Sequence, residues 1–311
     1  MIEKFKIDIP REKVLKIEEK VKNYPWNLIP NLPDWKHGTN LPYLKEICDY
    51  WIKDFNWSLY EKKINNFQNF KTNVDGINIH FIKEEGSGSN PKNLLLIHGW
   101  PGSVIEFIEI INRLAHPENY GGNKEDGVTV IAPSLPGFGF SGSSNEPYGP
   151  RKIAEILNKM MTINLKYKSY VAQGGDWGSA ITTAIGMQDK GHCVGIHVNM
   201  PNASATKAAR ENPDEADKLA LAGAAFYQQW DSGYSKQQST RPQTLGYGLA
   251  DSPIGQSAWI LEKFYQWTDC KGHPENVLER DEIIDNIMFY WLTNAGASSA
   301  RLYWESFGTA F

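Results

Sequence analysis

Apolar residues in about the first 68 positions recur every three or four residues, the spacing of amphipathic helices. Two stripes carry this pattern: Val14, Ile17 and Val21, and then Leu41, Leu44, Ile47 and Trp51. Pro10 suits the first turn of the first helix. Ser58 and Glu61 have the spacing of a capping box before a third helix. We therefore predict that the chain begins with a helical arm.

The pattern changes to that of a sheet after residue 69. Asp75-Gly76 separates two apolar stretches, 70–74 and 77–82, which is typical of a hairpin. Further apolar runs predict strands at 93–97, 128–132, 169–172 and 194–198, with helices between them at 103–114, 151–163 and 179–187. This alternation predicts an α/β fold with a mostly parallel sheet covered by helices.

The regular alternation ends at Pro201, and we interpret residues 201–293 as a helical lid. Residues 211–230, 257–267 and 281–292 have helical patterns, whereas 231–257 is rich in Gly, Pro, Ser and Gln. A further helix begins at 298–307. The predicted organisation is an arm with the first hairpin at 1–92, a core at 93–200, the lid at 201–293, and a return toward the core at 294–311.

Composition excludes several classes of function. The chain has 32 Lys and Arg against 36 Asp and Glu, a net charge of −4, whereas nucleic-acid-binding domains are usually basic. The sequence has neither an apolar run long enough to span a membrane nor a secretory signal, so we expect no membrane anchor. Three widely spaced cysteines form no disulfide framework or zinc motif. A reducing, cytoplasmic location is the expectation.

The sequence Gly174-Gly175-Asp176-Trp177-Gly178 follows a predicted strand and precedes a predicted helix. This is the arrangement of a nucleophile elbow, in which small flanking residues permit a sharp turn. A carboxylate at the central position is anionic at neutral pH, and it suits displacement at a saturated carbon to form an alkyl ester. Asp176 is the candidate nucleophile, although this pentapeptide alone is also compatible with an ordinary turn.

A second motif, HGWPG, comes directly after the predicted strand at 93–97. In elbow hydrolases, this loop and the residue after the nucleophile each supply one backbone N–H of an oxyanion hole. Trp100 and Trp177 occupy those positions. The two motifs, in this order and context, predict the α/β-hydrolase fold.

At this point the sequence resembles a known family, the microsomal-type epoxide hydrolases, which include the juvenile hormone epoxide hydrolases. The resemblance covers nearly the whole chain. It is carried by LPYLKEICDYWIKDFNW in the arm, by HGWPGSVIEF, APSLPGFGFS and GGDWGS in the core, and by DSGY, LADSPIGQSAWILEKF and SSARLYWE in the lid.

The resemblance implies a role for each of these matching positions. Asp176 would be the nucleophile, and Tyr234 and Tyr303 would be the lid tyrosines that protonate the epoxide oxygen. A phenol suits this role because it is protonated at neutral pH. From the residues alone, neither tyrosine stands out among the 14 in the chain. The family implies no cofactor or metal, a bulky apolar epoxide and water as reactants, and roles in aromatic hydrocarbon catabolism or detoxification.

One part of the family pattern is missing from this sequence. The family places a water-activating His, and the acid that orients it, after the second lid tyrosine, where the last strands of the sheet also follow. No His follows Tyr303 here; the last is His273 in the lid. We carry over no charge-relay residue, and we expect a piece of a longer protein that forms the ester at most.

Two alternatives remain open at this stage. The haloalkane dehalogenases use the same Asp elbow and alkylation, but they lack this arm and these lid tyrosine motifs; halide release would identify them. A non-catalytic module that binds apolar ligands would bind a diol without forming a covalent adduct. The identity of the epoxide and the oligomeric state are not specified by the sequence.

Overall fold

The computed structural model describes residues 1–146, 148–201 and 203–306. Within these ranges, a seven-stranded sheet has the order β1-β2-β3-β5-β4-β6-β7. The strands are β1 (Ile2–Lys4), β2 (Gln68–Val74), β3 (Ile77–Glu84), β4 (Asn93–Ile97), β5 (Thr129–Pro133), β6 (Tyr170–Gly174) and β7 (Cys193–Val198). Pairings from β1 to β5 are antiparallel, whereas β5, β4, β6 and β7 run parallel.

Helices cover the sheet and form the lid. They are α1 (Arg11–Lys22), α2 (Leu41–Lys53), α3 (Trp57–Asn65), α4 (Ile108–Ala115), α5 (Pro150–Lys159), α6 (Trp177–Gln188), α7 (Lys207–Glu211), α8 (Glu215–Phe226), α9 (Gly233–Thr240), α10 (Pro242–Asp251), α11 (Pro253–Trp267), α12 (Arg280–Leu292) and α13 (Ala295–Ser306). None of the helices in the described ranges is both long and apolar enough to cross a membrane.

The predicted α/β architecture is confirmed by the parallel half of the sheet. Strand β4 has the predicted bounds. The observed ends of β5, β6 and β7 lie within two residues of the predicted ends. Leu95 pairs with Ile131 on one side and Ala172 on the other, and all three are buried. Burial on both faces explains why β5 is a continuous apolar run, whereas β7 at the edge of the described sheet leaves Val194 and Ile196 exposed.

The prediction of an entirely helical arm is wrong at its start. Residues Ile2–Lys4 form β1, which extends the predicted hairpin by one antiparallel strand. The side chain of Asn65 holds the next stretch in place, because it accepts from the Ile7 backbone N–H at 3.0 Å and donates to the Ile7 carbonyl at 2.8 Å. These bonds satisfy backbone groups that have no strand partner.

The predicted capping box at the start of α3 is also wrong. The cap is Asn56, whose side chain accepts a hydrogen bond from the Ser58 backbone N–H at 3.0 Å. Glu61 is engaged elsewhere, since it accepts from the Ile9 backbone N–H at 2.9 Å and from the Trp57 indole at 3.2 Å. The Ser-x-x-Glu spacing therefore coincides with a helix start without forming the capping contact.

The lid is more helical than its composition predicts. Residues 231–257, predicted from their Gly, Pro, Ser and Gln content to lie between helices, contain α9, α10 and the beginning of α11. Pro242 and Pro253 lie in the first turns of α10 and α11, where the missing N–H costs no helical hydrogen bond. The helix predicted at 211–230 is not continuous. It corresponds to the last residue of α7, to α8, and to a π-helical turn, Tyr227–Asp231. The end of the last predicted helix, Phe307, lies outside the described residues.

Gly178 in α6 and Gly223 in α8 provide a matched test of packing at the elbow. A Cβ at Gly178 would lie 2.0 Å from the Ile97 carbonyl oxygen, whereas one at Gly223 would meet no atom within 4 Å. We expect Gly178→Ala to lower the free energy of unfolding by about 3 kcal/mol or more. Gly223→Ala should raise it by about 0.5–1 kcal/mol. Denaturant titration measures both, and equal effects would contradict the close approach of α6 to β4.

Candidate active site

Asp176 lies at the turn between β6 and α6 in a backbone conformation that L-residues rarely adopt. Its φ is 50° and its ψ is −126°. The turn is possible because its neighbours lack side chains: a Cβ at Gly174 would lie 2.1 Å from the Gly178 carbonyl oxygen. Strain of this kind is typical of catalytic positions that the surrounding structure holds in place.

Backbone donors from two loops hold the Asp176 carboxylate. The Trp100 N–H, in the loop after β4, donates to Oδ1 at 2.8 Å. The Trp177 N–H, at the start of α6, also bonds the carboxyl group. The structure thus brings together the predicted nucleophile and both residues predicted for the oxyanion hole. Gly99 is needed for this approach, because a Cβ there would lie 2.2 Å from Oδ1.

The surroundings of Asp176 alter its acidity. Burial raises the pKa of this carboxyl to about 6, while the hydrogen bonds from Trp100 and Trp177 oppose the rise. Glu106 lines an adjoining cavity with Asp176. Glu106 as a whole residue is exposed. Burial of its carboxyl group among the surrounding atoms, together with the Asp176 charge, nevertheless raises its pKa to about 8. Near pH 7, Asp176 is therefore the ionised member of the pair.

The two predicted lid tyrosines lie together above Asp176. Their ring centroids are 5.6 Å apart, and both side chains are buried. Tyr234 stacks on Trp100, with centroids 5.1 Å apart and planes within 6°. Tyr303 contacts Trp177 edge to face, with centroids 4.8 Å apart. The two residues predicted for the oxyanion hole therefore also contact the two tyrosines through their side chains.

Asp176 and both tyrosines line one cavity of about 590 Å³. Its other lining residues are Trp100, Trp177, Met200, Tyr227, Gln228, Ser235 and Trp267. Apolar walls with a few polar groups are typical of a small-molecule site. In the described part of the chain, no three His, Cys, Asp or Glu side chains are grouped so that they could hold a metal ion.

Histidines near the site have structural contacts. His98 accepts from the Leu135 backbone N–H through Nε2 at 3.0 Å, while its Nδ1 lies 3.0 Å from the Gly99 carbonyl. Burial lowers the pKa of His98 to about 4, so it holds the loop as a neutral ring. His197 on β7 lines the adjoining cavity. Within the described ranges, no histidine ring is hydrogen-bonded to Asp176.

Sequence reasoning missed several lid residues that surround Tyr234. The Tyr227 and Tyr234 hydroxyls are 3.2 Å apart. Lys263 on α11 lies over the Tyr234 ring, with Nζ 4.7 Å from its centroid, and Lys263 forms a buried ion pair with Asp231 at 2.7 Å. A lysine inside the apolar stretch 257–267 was the one available signal, because lysine is rarely buried unless it is paired.

Comparison with known proteins agrees with this arrangement. Residues 2–107 match the family model of the epoxide hydrolase N terminus, and residues 92–248 match that of the alpha/beta hydrolase fold. The chain is 42% identical to a Stigmatella aurantiaca protein assigned to the epoxide hydrolases, covering 99% of this chain and 70% of that protein. It is 34% identical to epoxide hydrolase 1 of Sus scrofa, covering 99% and 73%.

Among solved structures, the juvenile hormone epoxide hydrolase of the silkworm Bombyx mori matches with a TM-score of 0.83 at 34% identity, covering 99% of this chain and 77% of that one. The sheet, elbow and lid define an α/β hydrolase. More narrowly, the chain belongs to the epoxide hydrolase family, whose members hydrolyse epoxides to diols. The dehalogenase and non-catalytic alternatives are not favoured by these relatives.

The environment of Asp176 predicts an unusual titration. We expect its carboxyl to lose its proton with a midpoint near pH 6, because burial disfavours the charged form. Infrared difference spectra of the protein and Asp176→Asn, recorded across pH, isolate this carboxyl band. Asp189 is the control, since three backbone N–H groups bond its Oδ2. A midpoint for Asp176 no higher than that for Asp189 would contradict the assigned burial.

Proposed function

We propose that this protein opens a bulky apolar epoxide to a vicinal diol through a covalent ester on Asp176. One observation carries the proposal. An ionisable carboxylate, held at a strained elbow by two backbone N–H groups, faces two buried tyrosine hydroxyls across an apolar cavity. This combination supplies a nucleophile on one side of an epoxide and proton donors on the other.

The hydrogen bonding of Asp176 assigns different roles to its two oxygens. Oδ1 accepts the Trp100 N–H, and we assign the attack on a ring carbon to Oδ2. The carbon–oxygen bond of the epoxide then breaks, and the departing oxygen takes a proton from a lid tyrosine. Oδ1 becomes the ester carbonyl oxygen. When water adds to that carbonyl, negative charge forms on Oδ1 within reach of the Trp100 and Trp177 N–H groups.

The lining of the cavity supports a bulky, apolar substrate. Trp100, Trp177 and Trp267 supply aromatic walls, and Met200 supplies an adaptable apolar side chain. Gln228 and Ser235 are the amide and hydroxyl groups on the lid side. We further propose a cytoplasmic role in detoxification or aromatic hydrocarbon catabolism. Support comes from three free thiols, Cys48, Cys193 and Cys270, which fit a reducing compartment.

Intact-mass measurement tests the nucleophile directly. After exposure to a bulky aryl epoxide, we expect the protein to gain the mass of one substrate, located at Asp176 by peptide mapping. Asp176→Asn should gain none, because a neutral amide is a poor nucleophile. An adduct elsewhere, or an equal adduct on the variant, would exclude Asp176.

The pKa of Asp176 also predicts how ester formation depends on pH. Only the carboxylate attacks, so the rate should rise as pH increases through about 6 and then level off. A second change near pH 8 is expected from ionisation of Glu106, and Glu106→Gln should remove that change alone. Quenched-flow sampling with mass detection gives the rates. A rate that falls as pH rises from 5 to 7 would contradict a carboxylate nucleophile.

A further inference from the structure

The two lid tyrosines have unequal surroundings. The Tyr303 hydroxyl is fully buried beside the side chains of Trp177 and Tyr234. The Tyr234 hydroxyl lies 3.2 Å from the hydroxyl of Tyr227, which is only half-buried. A phenolate at position 234 can therefore accept a hydrogen bond from Tyr227, whereas at position 303 the neighbouring donor is the Trp177 side chain. A hydrogen-bond donor is thus near each tyrosine, and the contrast between them rests on the charge beside Tyr234.

A buried charge distinguishes Tyr234 further. The Lys263 side chain is 3% exposed, and its Nζ lies 4.7 Å from the Tyr234 ring centroid and 5.3 Å from that of Trp267. Asp231 holds this ammonium at 2.7 Å, and Glu262 contacts it at 3.0 Å. The other Asp231 oxygen accepts the Trp267 indole N–H at 2.6 Å. The cluster is fixed by contacts on several sides.

Local backbone structure brings these groups together. The π-helical turn Tyr227–Asp231 carries both Tyr227 and Asp231, and α9 with Tyr234 begins two residues later. Insertions of this kind in helices are frequent at functional sites, because they change which side chains share a face. Here the turn places one partner of the Tyr234 hydroxyl and the counter-ion of Lys263 beside the same ring.

Epoxide opening moves negative charge toward this cluster. The Asp176 carboxylate becomes a neutral ester, the epoxide oxygen becomes a neutral alcohol, and the tyrosine that supplied the proton becomes a phenolate. The total charge is unchanged, but its new site is an apolar, buried ring. An isolated buried anion is costly, whereas an adjacent cation and a hydrogen-bond donor offset that cost.

We propose that Lys263 is a positioning residue that makes Tyr234, rather than Tyr303, the tyrosine that transfers its proton to the opening epoxide. The inference rests on the proposed function. Asp231 holds the ammonium against the ring, and the Tyr227 hydroxyl donates to the phenolate oxygen. Tyr303 contributes a hydrogen bond to the epoxide oxygen and keeps its proton.

A double-mutant cycle on ester formation tests this assignment. The rate of the Asp176 adduct is measured by quenched mass spectrometry under single-turnover conditions. Lys263→Met should slow the reaction about 10- to 30-fold in the unmodified protein, and by the same factor in a Tyr303→Phe background. In a Tyr234→Phe background, Lys263→Met should change the rate by less than about twofold. Lys263→Arg retains the charge and should recover most of the rate.

Each outcome has a distinct meaning. A Lys263→Met effect that is equal in all three backgrounds would overturn the inference, because it would indicate general damage to the lid. An effect that disappears in the Tyr303→Phe background instead would reverse the assignment of the two tyrosines. Absence of any adduct on the unmodified protein would remove the proposed function itself, and the inference with it.

Discussion

The left-handed backbone of Asp176 is the constraint on which the rest of the site depends. At φ 50° and ψ −126°, the residue presents its carboxylate between the carboxyl ends of β4 and β6. Such strain costs of order 1–3 kcal/mol and persists only where neighbouring contacts enforce it. Two features enforce it here: α6 lies against β4 at Gly178, and the Trp100 N–H bonds Oδ1 at 2.8 Å. The loop after β4 thus supports the elbow and also supplies one of the backbone N–H groups that bond the Asp176 carboxylate.

The negative charge of Asp176 lies in an apolar cavity whose walls come from both the core and the lid. Backbone N–H groups keep Asp176 ionised near neutral pH despite the burial that raises its pKa. The Trp100 ring, on the same residue that bonds Asp176, stacks on Tyr234. Trp100 therefore contacts both Asp176, through its backbone N–H, and Tyr234, through its ring.

The features that could be predicted from the sequence are those that depend on short, local motifs. The positions of Trp100 and Trp177 beside Asp176 were predictable because each lies within a short motif that follows a strand, and β4 was predictable because a strand buried in the sheet is a continuous apolar run. The lid helices at 231–257 were not, since Gly and Pro suggest loops, although Pro242 and Pro253 here begin helices. The Asp231–Lys263 pair joins residues 32 positions apart. A pairing between residues so far apart cannot be predicted from local sequence patterns, because it depends on how the helices pack in three dimensions.

The arm explains how the lid helix that carries Lys263 keeps its place. Trp35 stacks on Tyr265 of α11, with centroids 4.0 Å apart and planes within 3°, and Thr39 donates to the Ala258 carbonyl at 2.6 Å. Lys13 in α1 reaches the Leu292 carbonyl at the end of α12 at 2.6 Å. These contacts bind the first part of the chain to helices more than 200 residues later. The arm therefore stabilises the position of α11, the helix that carries Lys263.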